Sequence, residues 1–154
     1  MKKKILIIGG SGFIGKAAAE FLVKKGYDVT ATYYKSRKEL IKNKNINFKP
    51  LDLKSKTFNK KIVFKNYDFI IFAGGYIDHS ELKQGGIETF ETHFLSLVKI
   101  SQHIDFKKIK KFIYLGSGDQ YEKCKSPVKE NDANGLLPST MYSLSKSLAE
   151  NYLD

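Results

Sequence analysis

A chain of 154 residues with 27 basic and 16 acidic side chains, net charge +11, is long enough for one three-layer domain and too short for two. Every basic residue except Arg37 is a lysine, dispersed near element ends. The guanidinium forks that read guanine or clamp phosphate are therefore nearly absent, and no nucleic-acid partner is expected. No apolar run approaches a membrane span, so no membrane association is expected. The single Cys124 excludes an internal disulfide and fits a reducing, cytoplasmic compartment, and His79, His93 and His103 lack the close spacing of metal ligands.

The run Lys4-Ile5-Leu6-Ile7-Ile8 reads as a strand buried on both faces, ended by Gly9-Gly10-Ser11-Gly12-Phe13-Ile14-Gly15. Gly9 or Gly10 allows a tight turn, Gly12 clears the approach of a phosphate, and Gly15 lets the next helix pack close to the strand. The free amides of that helix, aided by its dipole, form an anion site of the kind that holds a dinucleotide pyrophosphate. The helix is expected over Phe13 to Lys25, with Ile14, Ala17, Ala18, Phe21 and Leu22 on its apolar side and Gly26 as its C-cap. No Gly-Lys-Ser/Thr follows, which disfavours a nucleoside triphosphate loop of the Walker type.

Tyr27 to Tyr34 reads as a second strand. Its end offers Tyr34, Lys35 and Arg37 where an acidic residue would bind the ribose hydroxyls of NAD. Two cations and a hydroxyl suit a 2′-phosphate, so NADP is the expected cofactor and NAD the alternative. A short helix is expected over Glu39 to Lys44, a third strand over Ile46 to Leu51, and a fourth over Asp68 to Ala73, ended by Gly74-Gly75. Glu88 to His103 reads as a single helix with a broad apolar side, Lys111 to Leu115 as a fifth strand, Gly116 to Leu137 as a loop, and Ser139 onward as a final helix. This alternation predicts an α/β fold: a doubly wound parallel sheet of the Rossmann type, strand order 3-2-1-4-5, with helices on both faces.

Tyr142 and Lys146, four residues apart, share one face of the last helix. A phenol with a pKa of about 10 is a poor base at neutral pH, and a neighbouring ammonium favours its ionised form. Such a pair can pass a proton to or from a carbonyl or carbinol while a nicotinamide exchanges hydride. Ser117 follows the fifth strand at its carboxyl end, where a hydroxyl can donate to the reacting oxygen.

The glycine turn, Asp52-Leu53, Phe72-Ala73-Gly74-Gly75, Ser117 and Tyr142-x-x-x-Lys146 occur in the order of the short-chain dehydrogenase/reductase superfamily. The chain resembles its extended branch, the nucleotide-sugar epimerases, dehydratases and reductases; Tyr121 after Ser117, and Glu130 before Pro138 and Tyr142, fit the same pattern. The resemblance implies that Tyr142 is the acid/base, that Lys146 lowers its pKa and binds the nicotinamide ribose, and that Ser117 holds the reacting carbonyl. It also implies that Asp52 contacts adenine, that Leu53 supplies backbone, and that Ala73, Gly74 and Gly75 line the cofactor path. His93 stands where this branch often has asparagine, and Glu122 replaces a usual glycine. Gly118 and Asp119 occupy the positions of a dehydratase acid/base pair, which favours epimerisation or ketone reduction of a nucleotide-activated sugar over 4,6-dehydration. Dehydration and a non-catalytic NADP-binding or redox-sensing module are the alternatives.

Extended members carry a further sugar-binding domain after the helix that bears the Tyr/Lys pair. Residues 1–154 are accordingly expected to be the NAD(P)-binding Rossmann domain with its catalytic residues, a truncated form lacking the substrate domain. The resemblance further implies a homodimer through the fourth and last helices, with Phe94, Leu97, Leu144, Leu148 and Tyr152 supplying apolar surface.

Overall fold

The computed structural model describes residues 2–35, 44–55, 57–58, 64–121, 124, 127–129, 132 and 138–154. Arg37, Glu122, Glu130 and residues 39–43 of the expected second helix lie outside them.

Five parallel strands form one sheet: β1 (Lys4–Ile8), β2 (Asp28–Tyr33), β3 (Ile46–Pro50), β4 (Phe69–Phe72) and β5 (Lys111–Tyr114). Their order is β3-β2-β1-β4-β5, as the alternation predicts. In register, Ile5 faces Val29 on one side and Phe69 on the other, and Ile7 faces Ala31 and Ile71. Because side chains alternate across a strand, these residues share one face. There they form a buried cluster with Ala19 and Ile46, against which Ala18, Leu22 and Val23 of α1 (Phe13–Lys24) pack. Leu6, Ile8, Ile70 and Phe72 point to the opposite face and are equally buried, so both faces are covered. Each such side chain contributes roughly 1.5–3 kcal/mol on burial.

The apolar side of α1 differs from the sequence expectation. Gly15 and Ala19 are its buried residues, whereas Phe13, Ile14, Ala17 and Phe21 are exposed. At the start of the helix, the contact is set by size. A Cβ at Gly15 would lie 2.3 Å from the Gly9 carbonyl oxygen, so only small residues let the helix approach β1 this closely. The helix ends at Lys24 in a Schellman arrangement, with Gly26 N–H donating to the Val23 carbonyl and Tyr27 N–H to that of Leu22.

The expected fourth helix is three joined pieces: α2 (Ile87–Phe90), a π-helical turn (Glu91–Leu95) and α3 (Ser96–Ser101). The hydroxyls of Thr92 and Ser96 donate back to the carbonyls of Glu88 and Thr92, satisfying acceptors around the wide turn. The stretch expected as a loop after β5 contains a 3₁₀ turn, Gly118–Tyr121. The last helix, α4 (Met141–Leu153), begins two residues later than expected, because Thr140 and Ser143 close a reciprocal capping box. No helix among the described residues is long and apolar enough to cross a membrane.

The chain divides into two compact units. The first comprises residues 1–74 and 98–115 and contains the whole sheet; the second comprises 75–97 and 116–154.

Candidate functional site

In the first unit, β1 runs directly into the glycine turn. Gly9 has φ +79°, and a Cβ there would come within 2.5 Å of the Gly74 backbone, so this position needs glycine for both conformation and space. The turn is fastened to β2: Gly9 N–H donates to Thr32 Oγ1 (2.9 Å) and Ser11 N–H to the Thr32 carbonyl (3.1 Å). The first α1 bond runs from Lys16 N–H to the Gly12 carbonyl, leaving the amides of Phe13, Ile14 and Gly15 at an open helix start. No side chain caps that end, no acidic residue occupies its first turn, and Phe13 is 95% exposed. A Cβ at Gly12 would meet only the Gly9 carbonyl oxygen, at 3.3 Å. These are the features of an anion cradle.

Two further expected cofactor residues, Tyr34 and Asp52, line one hollow of about 270 Å³ together with Pro50, Leu51, Ser55 and Thr57. Asp52 Oδ1 accepts the Lys54 N–H at 2.9 Å, which fixes the carboxylate. Leu53 packs over Gly74, where a Cβ would lie 2.8 Å from its Cδ1, and Ala73 N–H donates to the Ile8 carbonyl at 2.9 Å. The Lys35 ammonium sits 5.1 Å from the centre of the Tyr34 ring.

In the second unit, the capping box of α4 sets the rotation of Tyr142 and Lys146. As their spacing predicts, they meet, with Lys146 Nζ 5.9 Å from the Tyr142 ring centre. Lys146 is buried, and desolvation pulls its ammonium down to about 8 from an ordinary 10.5.

His93, presented by the π-helical turn, supplies a contact that its sequence neighbours do not reveal. Its ring meets that of Tyr142 edge-on, 5.2 Å between centres and 82° between planes. Nε2 accepts the Tyr76 N–H at 3.2 Å. Nδ1 lies 3.0 Å from Ser145 Oγ, whose hydroxyl donates to the Tyr142 carbonyl at 2.8 Å. With Nε2 accepting and the Ser145 proton committed, the neutral Nδ1–H tautomer satisfies every partner. Burial, aided by the Lys146 charge, pushes His93 down to about 3, so the ring is neutral at pH 7. Gly75 makes room for it: a Cβ there would lie 2.4 Å from Nε2.

Ser117 opens the 3₁₀ turn after β5. Its N–H donates to Gln120 Oε1 (2.7 Å), its carbonyl accepts the Gln120 N–H (3.2 Å), and its Oγ accepts the Asp119 N–H (3.3 Å). The Gln120 amide is in turn hydrogen-bonded to the Glu150 carboxylate on α4. Asp119 Oδ2 pairs with His79 Nδ1 at 3.1 Å, and the His79 ring lies 5.0 Å from that of Tyr142. Ser117 is thereby connected to Tyr142 through Asp119 and His79. Forty residues separate His79 from Asp119, and no spacing in the sequence announces the pair. Of the surface expected for a dimer, Tyr152 is exposed and Phe94 touches the rings of both Phe90 and Tyr152, but Leu97 is fully buried and belongs to the core.

Comparison with known proteins bears on these two clusters. The chain is 32% identical over 136 residues to a UDP-N-acetyl-alpha-D-glucosaminuronate decarboxylase of Bacillus cytotoxicus, a match covering 86% of this chain and 42% of the relative. It is 28% identical over 153 residues to a putative UDP-glucose 4-epimerase of Methanocaldococcus jannaschii, covering 97% of this chain and 49% of that one. Among solved structures it superposes on the epimerase Mth375 of Methanothermobacter thermautotrophicus with TM-score 0.84 at 22% identity, covering 99% of this chain and 46% of the other, a likeness of fold. The chain thus spans about half the length, or less, of these proteins. The model of the NAD dependent epimerase/dehydratase family matches residues 5–154, nearly the whole of the sequence, and the chain belongs to that family.

Proposed function

We propose that this chain is the cofactor-binding and proton-transferring part of an NADP-dependent epimerase or ketoreductase of nucleotide-activated sugars. The observation that carries the reading is the setting of Tyr142: a buried ammonium one helical turn away and a neutral imidazole against its ring, in a family whose members depend on a nicotinamide dinucleotide. When bound, the nicotinamide supplies or accepts a hydride. The cradle at Gly9, Gly12 and Gly15, flanked by Phe13 and Ile14, fits the pyrophosphate, and the hollow lined by Tyr34 and Asp52 fits the adenosine end. Leu53, Ala73, Gly74 and Gly75 continue that path. Ser117 donates its hydroxyl to the sugar oxygen, Tyr142 gives or takes the proton there, and Lys146 favours the ionised phenol and holds the ribose.

Residues 1–154 form the Rossmann domain of a longer enzyme in this reading, and the sugar-binding wall lies elsewhere in the gene product. Its setting is the cytoplasm, which the single Cys124 suits. The helical run 87–101 and α4 form the homodimer surface, where Phe90, Phe94 and the 45% exposed Tyr152 make a continuous aromatic patch.

Two measurements on the complete gene product test this. With UDP-glucose or UDP-N-acetyl-α-D-glucosaminuronate, the bound nicotinamide is expected to be reduced, at least transiently; no absorbance change with either sugar overturns the reaction. In thermal denaturation NADP at a hundredfold excess over its Kd is expected to stabilise by about 3 kcal/mol, and by more than NAD at the same concentration. Stronger stabilisation by NAD overturns the roles of Lys35 and Arg37.

A further inference from the structure

We propose that His79, oriented by Asp119, carries the phenolic proton between Tyr142 and solvent. The inference rests on the proposed function, in which Tyr142 is the acid/base. Oxidation of a carbinol releases one proton along with the hydride, and reduction of a ketone consumes one. In net ketone reduction, where no second half-reaction returns the proton, the phenol must therefore be reset by another group after each turnover.

Among the described residues, the rings and cations that meet the Tyr142 ring are those of His93, Lys146 and His79. His93 is sealed in, with Nε2 committed to the Tyr76 amide and Nδ1 to Ser145, so it has no nitrogen with which to move a proton. Lys146 is likewise buried away from water. His79 differs in both respects. Its side chain is 58% exposed, and its Nε2 has no hydrogen bond among the described residues, while Nδ1 is held by Asp119 Oδ2 at 3.1 Å.

Asp119 is itself well placed to orient the ring. It lies in the short turn that also carries Ser117, its amide bonds to Ser117 Oγ, and the Gln120–Glu150 bond ties that turn to α4. A carboxylate accepting from Nδ1–H leaves Nε2 as the working nitrogen and balances the charge when the ring becomes imidazolium. The other charged neighbours are Asp78, whose carboxylate is occupied by the Ser80 hydroxyl (2.6 Å) and amide (2.9 Å), and Lys146 beside the Tyr142 ring.

In the reductive direction the Tyr142 hydroxyl gives its proton to the carbonyl oxygen, the bound nicotinamide being the group that would supply the hydride. The phenolate then takes a proton from Nε2–H of the His79 imidazolium, and the neutral imidazole regains one from water. The sum is ketone plus hydride plus one solvent proton giving alcohol, and oxidation reverses each transfer.

The test uses the complete gene product loaded with whichever nicotinamide dinucleotide stabilises it, mixed with UDP-glucose or UDP-N-acetyl-α-D-glucosaminuronate. Nicotinamide absorbance and proton release to a pH-indicator dye are recorded together. In wild type the two signals are expected to run in step. In His79→Ala, proton release and steady turnover are expected to slow by about 10- to 100-fold and to recover in proportion to added imidazole. In Asp119→Asn a smaller slowing is expected, and unchanged dinucleotide affinity in both variants shows that the fold is intact. Proton release still in step with reduction in His79→Ala, or a lag that imidazole does not relieve, overturns the relay. No nicotinamide reduction in wild type overturns the proposed function, and the relay with it.

Discussion

Tyr142→Phe is expected to lower turnover of a nucleotide sugar by roughly 10²- to 10⁴-fold, the range over which a positioned acid/base acts, while leaving dinucleotide binding intact. The substitution removes one oxygen and keeps the ring. The edge-on contact with His93, the tilted ring contact with His79 and the backbone carbonyl that accepts from Ser145 all remain, as does the Thr140–Ser143 cap at the start of the helix. Stability should consequently change by no more than about 1 kcal/mol. The glycine turn is built from backbone and from Thr32, so thermal stabilisation by the dinucleotide should be undiminished. Steady-state assays and thermal shifts on the same preparation separate the two effects. Normal turnover by the variant removes Tyr142 from the chemistry, whereas a collapse of both signals means that the hydroxyl matters to the fold instead.

The parts of this molecule that could be read from the chain are those in which local chemistry and global packing agree. The central strands β1 and β4 are short apolar runs bounded by glycine or charge, because a strand covered on both faces has no polar side to display. The Tyr142/Lys146 pair was legible because four residues is one helical turn. Where close approach decides, hydropathy misleads. Ile14 and Phe21 are strongly apolar residues of α1, yet both are exposed, whereas Gly15 is buried where a larger side chain would strike the Gly9 carbonyl. The same holds for Gly75, whose missing Cβ admits the His93 ring and lets Tyr76 N–H reach it. The His79–Asp119 pair was out of reach for another reason: it forms across 40 residues of chain, and neither residue has a local pattern that needs the other.

His93 also governs how the protein responds to acid. Its Nε2 must remain an acceptor for the Tyr76 amide; protonation would set N–H against N–H, in a buried site beside the Lys146 charge. Burial accordingly holds the folded-state value near 3, against an ordinary 6.5. Because the folded value is depressed, the unfolded chain binds the extra proton first as pH falls. The contribution of His93 to stability is constant above about pH 6.5 and declines progressively from there to about pH 3. The slope approaches 1.4 kcal/mol per pH unit, and the full interval amounts to about 5 kcal/mol, a large share of a domain's 5–15 kcal/mol. His93→Asn provides the comparison, since an amide offers an acceptor and a donor and does not titrate. The variant is expected to be less stable at pH 7, where it loses ring packing against Tyr142, but to lose less on acidification, so the two stability curves converge between pH 6.5 and 4. Urea unfolding at a series of pH values measures that difference directly, and parallel curves would show that His93 takes up its proton as readily in the folded protein as in the unfolded chain.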